Sequence, residues 1–255
     1  MNIGNFPIKG EHLGIAGITG DGKTLWAVNN AKALNLIDEN TAVIFFNYKP
    51  KKKDDYDIPG DHIDGNEPKK ALKAAVKGKD KIKQNGQEFM IQHGQLLKFR
   101  AHQNDNVKNK QLLNLYRLCK EIANETSKEF EIRIFIEEAH EVNPGSKTET
   151  DALARIIKDG RGHGIYAHPI SQRMMDLGSG SYTQIEEWVI LGISKSQQSW
   201  CSQMGFPFED IYEATNSHLQ PEVKDDGTVE YAEGYFQWAH VMGSRVESYE
   251  PLPPP

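Results

Sequence analysis

The run GITGDGKT, Gly17 to Thr24, constrains this chain more than any other feature. It fits the pattern G-x-x-x-x-G-K-[ST], in which glycines let backbone N–H groups turn inward around phosphate oxygens and the next helix adds its positive N-terminal end. The context agrees with the pattern. A short apolar stretch, His12 to Ala16, precedes it, and TLWAVNNAKAL follows with apolar residues recurring at three and four, so the order is strand, glycine-rich turn, helix. Gly17, Gly20, Asp21, Gly22, Lys23 and Thr24 are therefore predicted to hold a nucleotide, with Lys23 on the β and γ phosphates and the Thr24 hydroxyl on Mg²⁺.

The rest of the chain continues the alternation. TAVIFFN, residues 41–47, is apolar without polar alternation, as in a strand buried on both faces. EIRIFIEEAH, GIYAHPIS (164–171) and WVILGI (188–193) read as further strands, and the spacing predicts helices over 111–127 and 151–158. Such alternation predicts an α/β fold, a mostly parallel open sheet flanked by helices. Pro169 within GIYAHPIS removes a ladder donor, so that strand is expected to be short or bulged. Residues 49–110 are Lys-rich and broken by Pro59, Pro68, Gly78 and Gly86, and read as an insertion of loops and short helices. FEDIYEATNSH suggests a short helix, and DDGTVEYAEGYFQWAH a turn with one or two strands. The expected organisation is one domain, residues 1–242, with a Pro-rich tail at 243–255.

Composition narrows the classes. With 255 residues, 38% hydrophobic and 26% charged, the chain holds enough apolar material for one sizeable core. No stretch approaches the ~20 apolar residues of a membrane helix, and the start lacks a secretory h-region, so a soluble protein without direct membrane insertion is expected. Two cysteines exclude a disulfide scaffold, and Cys119, amid Leu115, Leu118 and Ile122, reads as a buried small hydrophobe. Trp26 likewise reads as core rather than as an adenine platform. A net charge of −6 supplies no overall basic field, so any contact with nucleic acid must be local.

Phosphate binding alone is not hydrolysis, which also needs an acid to hold the metal and a group to orient water. Glu137 and Glu138 end the strand IRIFIEE, at the carboxyl edge where parallel sheets place their ligands. Neighbours on a strand face opposite ways, so the two carboxylates take different roles: Glu137 toward Mg²⁺ and Glu138 toward the attacking water. His140 either packs at a helix start or couples the site to a neighbour.

GITGDGKT, the strand ending in EEAH, and ARIIKDGRGHGIYAHPISQRMMDL together resemble the HerA/FtsK superfamily of P-loop DNA-pumping ATPases, most closely its compact viral genome-packaging branch. The resemblance spans roughly residues 12–195 and implies a RecA/FtsK-like core, ATP and Mg²⁺. It also implies a homo-oligomeric, hexameric ring acting on double-stranded DNA, with a capsid or portal protein as a docking partner. The implied location is the host cytoplasm or the virion. Glu138 becomes the catalytic carboxylate and Gln172 the sensor of the γ-phosphate. Arg161 matches the arginine that reaches into the neighbouring subunit's site, with Arg155 a second candidate and Arg173 a weaker one. A guanidinium suits that task because it stays charged and spreads its donors over phosphate oxygens. Glu137 stands where the family has Asp, one methylene longer.

A motor also needs a grip. Lys69, Lys70, Lys73, Lys77, Lys79, Lys81 and Lys83 are seven of the 30 basic residues, and a ring would present the strip repeatedly to a polyanion. A solvated lysine face gives the same pattern, and Lys49, Lys51, Lys52 and Lys53 form a rival strip. Three other readings remain: a phage-assembly or conjugation ATPase moving protein or single-stranded DNA, a nucleotide-binding structural subunit with little turnover, and a small-molecule kinase.

Overall fold

The computed structural model describes residues 11–18, 22–37, 41–47, 62–64, 96–102, 104–125, 131–142, 151–217, 219, 222–225, 228–230 and 237–249. Eleven strands occur among them: β1 Leu13–Ala16, β2 Thr41–Phe46, β3 His62–Asp64, β4 Leu96–Arg100, β5 Glu131–Ile136, β6 Ile165–Ser171, β7 Glu187–Ile190, β8 Glu222–Val223, β9 Val229–Glu230, β10 Trp238–Met242 and β11 Arg245–Tyr249. Nine form one open sheet in the order β11-β10-β7-β1-β6-β5-β2-β4-β3, while β8 and β9 pair separately. From β7 to β3 every pairing is parallel; β10 and β11 add an antiparallel edge.

The helices cover both faces because both faces of the strands are apolar. Helix α1, Lys23–Ile37, sets Trp26, Ala27 and Ala31 against Ile15, Val43, Phe45, Phe135 and Ile170. Trp26 is thus a core residue, edge-on to Trp238 at 5.5 Å. The opposite face takes α2 (Asp105–Glu125) and α3 (Ala152–Asp159), with Leu112, Leu115, Cys119, Leu153 and Ile156 against Ile44, Ile132, Ile134 and Ile136. Burial pushes the Cys119 thiol up to about 12, as for a packing residue rather than a nucleophile. Three short helices follow: α4 Ser179–Tyr182, α5 Gln198–Met204 and α6 Phe208–Ala214. The last two add Cys201, Phe208 and Ile211 to this second face. Among the described residues no helix is long and apolar enough to cross a membrane.

Four expectations change. The insertion expected at 49–110 without strands contributes β3 and β4 to the sheet, and the helix expected from 111 begins at Asp105. In β4 the buried Leu97 and Phe99 alternate with Lys98 and Arg100, a five-residue pattern masked by its lysine-rich surroundings. The tail expected from 243 is not seen over 243–249, since β11 pairs with β10 from Met242↔Arg245 to Trp238↔Tyr249; residues 250–255 lie outside the described residues. Pro169 neither shortens nor interrupts β6, which runs seven residues. The Ala167 N–H, on the same side of the strand as Pro169 N, is accepted at 3.0 Å by His12 Nδ1, and the β1 ladder starts only at Ile15↔Ile170. On its other side β1 pairs with β7 from Leu13 onward, so the missing donor shortens the β1–β6 ladder rather than the strand.

Candidate nucleotide site at the carboxyl edge of the sheet

The ladder register brings the predicted elements to one edge. Ala16 is level with Ser171 and with Ile190, Ile136 with Pro169, and Phe46 with Ile136. The chain leaving β1 into the glycine-rich turn, Gln172 after β6, and Glu137 and Glu138 after β5 therefore leave the sheet together. β6 lies between β1 and β5, which sets the turn and the acids about 10 Å apart across the strands.

Within the turn, Gly22 has φ 79, a left-handed conformation that a side chain would strain, and its carbonyl accepts the Trp26 N–H to start α1. The first residue of α1 lies against the end of β1: a Cβ built on Gly17 would stand 3.3 Å from Lys23 Cγ. The Lys23 ammonium donates to the Ile18 carbonyl at 2.7 Å, so this cation is held over the loop. Thr24 is the second residue of α1. Gly20 and Asp21 lie outside the described residues.

Alternation along β5 settles which acid faces α1. Ile132, Ile134 and Ile136 enter the core beneath α2 and α3, whereas Phe135 enters the core beneath α1, and Glu137 continues the Phe135 face. The Glu137 N–H still donates to the Phe46 carbonyl at 3.0 Å, so the ladder holds through this residue. Glu138 then breaks it, at φ 46 and ψ 53, before the 3₁₀ turn Ala139–Glu141. A left-handed glutamate costs roughly 1–2 kcal/mol. Its carboxylate, 31% exposed, lies 3.6 Å from His140 Nδ1. A hydroxyl on Thr24 and a carboxylate on Glu137, on the α1 face at one sheet edge, form an oxygen donor set that suits Mg²⁺.

Three residues beside the acids have no motif to announce them. Asn47, buried at the end of β2 with φ 64, donates through Nδ2 to the Glu137 carbonyl at 2.8 Å and to Glu141 Oε2 at 3.2 Å. Lys108 of α2, 5% exposed, donates to the same Glu141 oxygen at 2.5 Å and to Asp105 at 3.2 Å. Burial works to lower the Lys108 pKa, but the hydrogen bonds and charges of Glu141 and Asp105 outweigh it and raise it. A polar residue directly after TAVIFF was the available signal for Asn47.

The arginines divide by location. Gln172 is exposed at the end of β6, and the next residue, Arg173, is paired with Asp176 at 2.9 Å. Arg161, in the 3₁₀ turn Gly160–His163 that precedes β6, sits at the opposite edge and pairs with Glu11. The seven residues of β6 put it roughly 20 Å from its own chain's glycine-rich turn. Arg155 is exposed on α3. The lysines at 69–83 and those at 49–53 lie outside the described residues.

A sheet in which a G-x-x-x-x-G-K-[ST] turn leads from β1 into α1, with one strand inserted before the acid-bearing strand, is a P-loop NTPase fold. Solved structures share it over nearly the whole chain. The genome packaging NTPase B204 from Sulfolobus turreted icosahedral virus 2, solved in complex with ATP-gammaS, superposes with a TM-score of 0.61 at 13% identity, covering 95% of this chain and 98% of that one. B204 described as the DNA-packaging ATPase from Sulfolobus turreted icosahedral virus gives 0.61 at 14% identity with the same coverage. A Thermomonospora curvata EccC structure comprising ATPases 2 and 3 gives 0.50 at 11% identity, covering 95% of this chain and 38% of that one. No protein-family model matches the sequence, and no curated protein does.

Proposed function

We propose that this chain is a Mg²⁺-dependent ATPase that translocates double-stranded DNA as a ring, of the viral genome-packaging kind. The observation that carries the enzymatic reading is the convergence of the glycine-rich turn, Gln172, Glu137 and Glu138 at one sheet edge across β1, β6 and β5. Lys23 binds the β and γ phosphates, together with the N–H groups at the start of α1. Thr24 and Glu137 would hold Mg²⁺, which when bound supplies positive charge against the phosphate oxygens. Glu138, turned out of the strand by its left-handed backbone, accepts a hydrogen bond from the attacking water and polarises it. Gln172, directly after the strand between the two halves of the site, reads the γ-phosphate.

Arg161 lies at the edge away from its own site, so its role is in the neighbouring subunit, in a ring that sets this edge against the next chain's carboxyl edge. Arg155 and Arg173 are the substitutes. The likeness to B204 over both full chains supports genome packaging, and the lysines at 69–83 would supply the grip on DNA, with capsid or portal as anchor. The likeness to EccC supports a second reading, an ATPase that moves protein. Measuring the ATPase rate with and without duplex DNA across protein concentrations, while recording the mass of the assembly, separates them. Stimulation by duplex DNA in a ring supports the first. Turnover indifferent to DNA at every assembly state removes it.

A further inference from the structure

We propose that Asn47, Glu141 and Lys108 form a bracket that sets the orientation of the peptide joining Glu137 to Glu138, making all three positioning residues for hydrolysis. The inference rests on the acids acting as proposed above.

Glu137 and Glu138 are consecutive, yet one keeps the strand's direction and the other leaves it in a left-handed conformation. The angle between the two carboxylates therefore depends on the single peptide between them. Its carbonyl belongs to Glu137, and that carbonyl accepts a hydrogen bond from Asn47 Nδ2 at 2.8 Å. The backbone ladder between β2 and β5 ends one step earlier, at Glu137 N–H to Phe46 carbonyl, so the asparagine side chain extends it by one bond. Asn47 is itself left-handed, a conformation asparagine tolerates better than most residues. Two left-handed residues thus stand at the ends of adjacent strands, joined by this amide.

The amide is itself held. A carboxamide nitrogen has two hydrogens, and the second goes to Glu141 Oε2 at 3.2 Å. That oxygen also receives the Lys108 ammonium at 2.5 Å, from the first turn of α2. A buried ammonium shared between Glu141 and Asp105 fixes the Glu141 carboxylate, and the carboxylate fixes the rotation of Asn47. None of the three is placed to touch nucleotide in the reading above. Their effect is to pre-set the acid pair, the kind of support whose loss misorients reacting groups without removing them.

The test compares full-length Asn47→Ala, Asn47→Asp, Glu141→Gln and Lys108→Met with wild type. It reads kcat and KM for Mg·ATP, affinity for a fluorescent ATP analogue, melting temperature, and amide exchange over residues 137–142. Asn47→Asp keeps the shape and loses both donors. Removing outer supports of an active site lowers activity by roughly tenfold to a hundredfold, so kcat in Asn47→Ala and Asn47→Asp should fall by that much. KM and analogue affinity should stay within about twofold, and exchange over 137–142 should quicken. Lys108→Arg, which keeps the charge, should retain most of the turnover lost in Lys108→Met. Should Asn47→Ala fail to fold, Asn47→Asp and Glu141→Gln carry the decision. A folded Asn47→Asp with wild-type kcat overturns the bracket, as does a loss confined to KM. Glu138→Gln serves as the control: inactivity there alongside a fully active Asn47→Asp sinks the bracket alone, whereas full activity in Glu138→Gln sinks the acid assignment beneath it.

Discussion

At the amino-terminal edge of the sheet, Arg133 is 1% exposed, donating to Glu131 at 2.7 Å and lying 3.4 Å from His168 Nε2 and 5.1 Å from the centre of the Tyr166 ring. His12 and His168 are buried beside it. At the carboxyl edge of the same strands, Glu138 is left-handed and half-exposed, and Gln172 is exposed. One strand, β5, supplies charge to both ends, and on one face Arg133, Phe135 and Glu137 follow each other. Around Arg133 charge is enclosed among protein partners, whereas at the carboxyl edge it stands where a ligand can reach it, as the exposed Arg161 does at the amino edge. The difference predicts that damage at Arg133 is read in stability and damage at the carboxyl edge in turnover.

The largest expected effect is at the glycine-rich turn. Lys23→Ala removes the cation that meets the phosphates, and ATP hydrolysis should drop to background with the melting temperature little changed. Glu138→Gln comes next: kcat should fall by about 10²–10⁴ while ATP stays bound, as when a positioned base is neutralised; rapid-quench turnover and analogue binding check both halves. At the other edge, Arg133→Met removes a buried guanidinium from half-buried Glu131 and should cost about 2–3 kcal/mol of stability, the upper range for a hydrogen-bonded charge that loses its partner. Per folded molecule its kcat should equal wild type, and a large loss of kcat would erase the distinction between the edges.

The smallest effect is a pH dependence. Burial, aided by the Arg161 charge, lowers the His12 pKa to about 4 from 6.5, so the folded protein keeps this ring neutral where the unfolded chain protonates it. The unfolded state thus binds more protons between about pH 4 and 6.5, and stability falls as the solution is acidified through that window. Burial first, then the Arg133 charge, lowers the His168 pKa too, which adds to the slope. His12→Asn keeps an acceptor for the Ala167 N–H and removes the titration. Between pH 7 and 5 its melting temperature should fall less than that of wild type, by the equivalent of about 2 kcal/mol. Parallel curves would show that His12 does not drive acid lability.

Legibility in the sequence followed contiguity. The turn at 17–24 is a local device whose residues act on one another's backbone, so spacing alone exposes it. The apolar runs of β2, β5, β6 and β7 betray burial on two faces, and Glu137 and Glu138 are readable because a strand end is a local event. Asn47 was not readable as a partner of Glu137, ninety positions away, because no pattern in either strand states that β2 lies beside β5. Lys108 carries no motif either, since its role depends on which carboxylate the fold places opposite α2. β11 was lost to the tail because Arg245, Glu247 and Ser248 make it look solvated, although Val246 packs against the core and Tyr249 stacks on Trp238 at 4.3 Å. Arg161 was legible as a motif but not in location: only the direction of β6 shows that it stands at the far edge.

The shared site is tested most directly by metal uptake. Mn²⁺ can replace Mg²⁺ and be titrated by electron paramagnetic resonance in the presence of a non-hydrolysable ATP analogue, in wild type, Thr24→Ala and Glu137→Gln. Weakened Mn²⁺ binding in both variants, with analogue affinity in the absence of metal unchanged, is the predicted result. Wild-type Mn²⁺ affinity in Glu137→Gln would mean that the acid-bearing strand and the glycine-rich turn do not serve one metal.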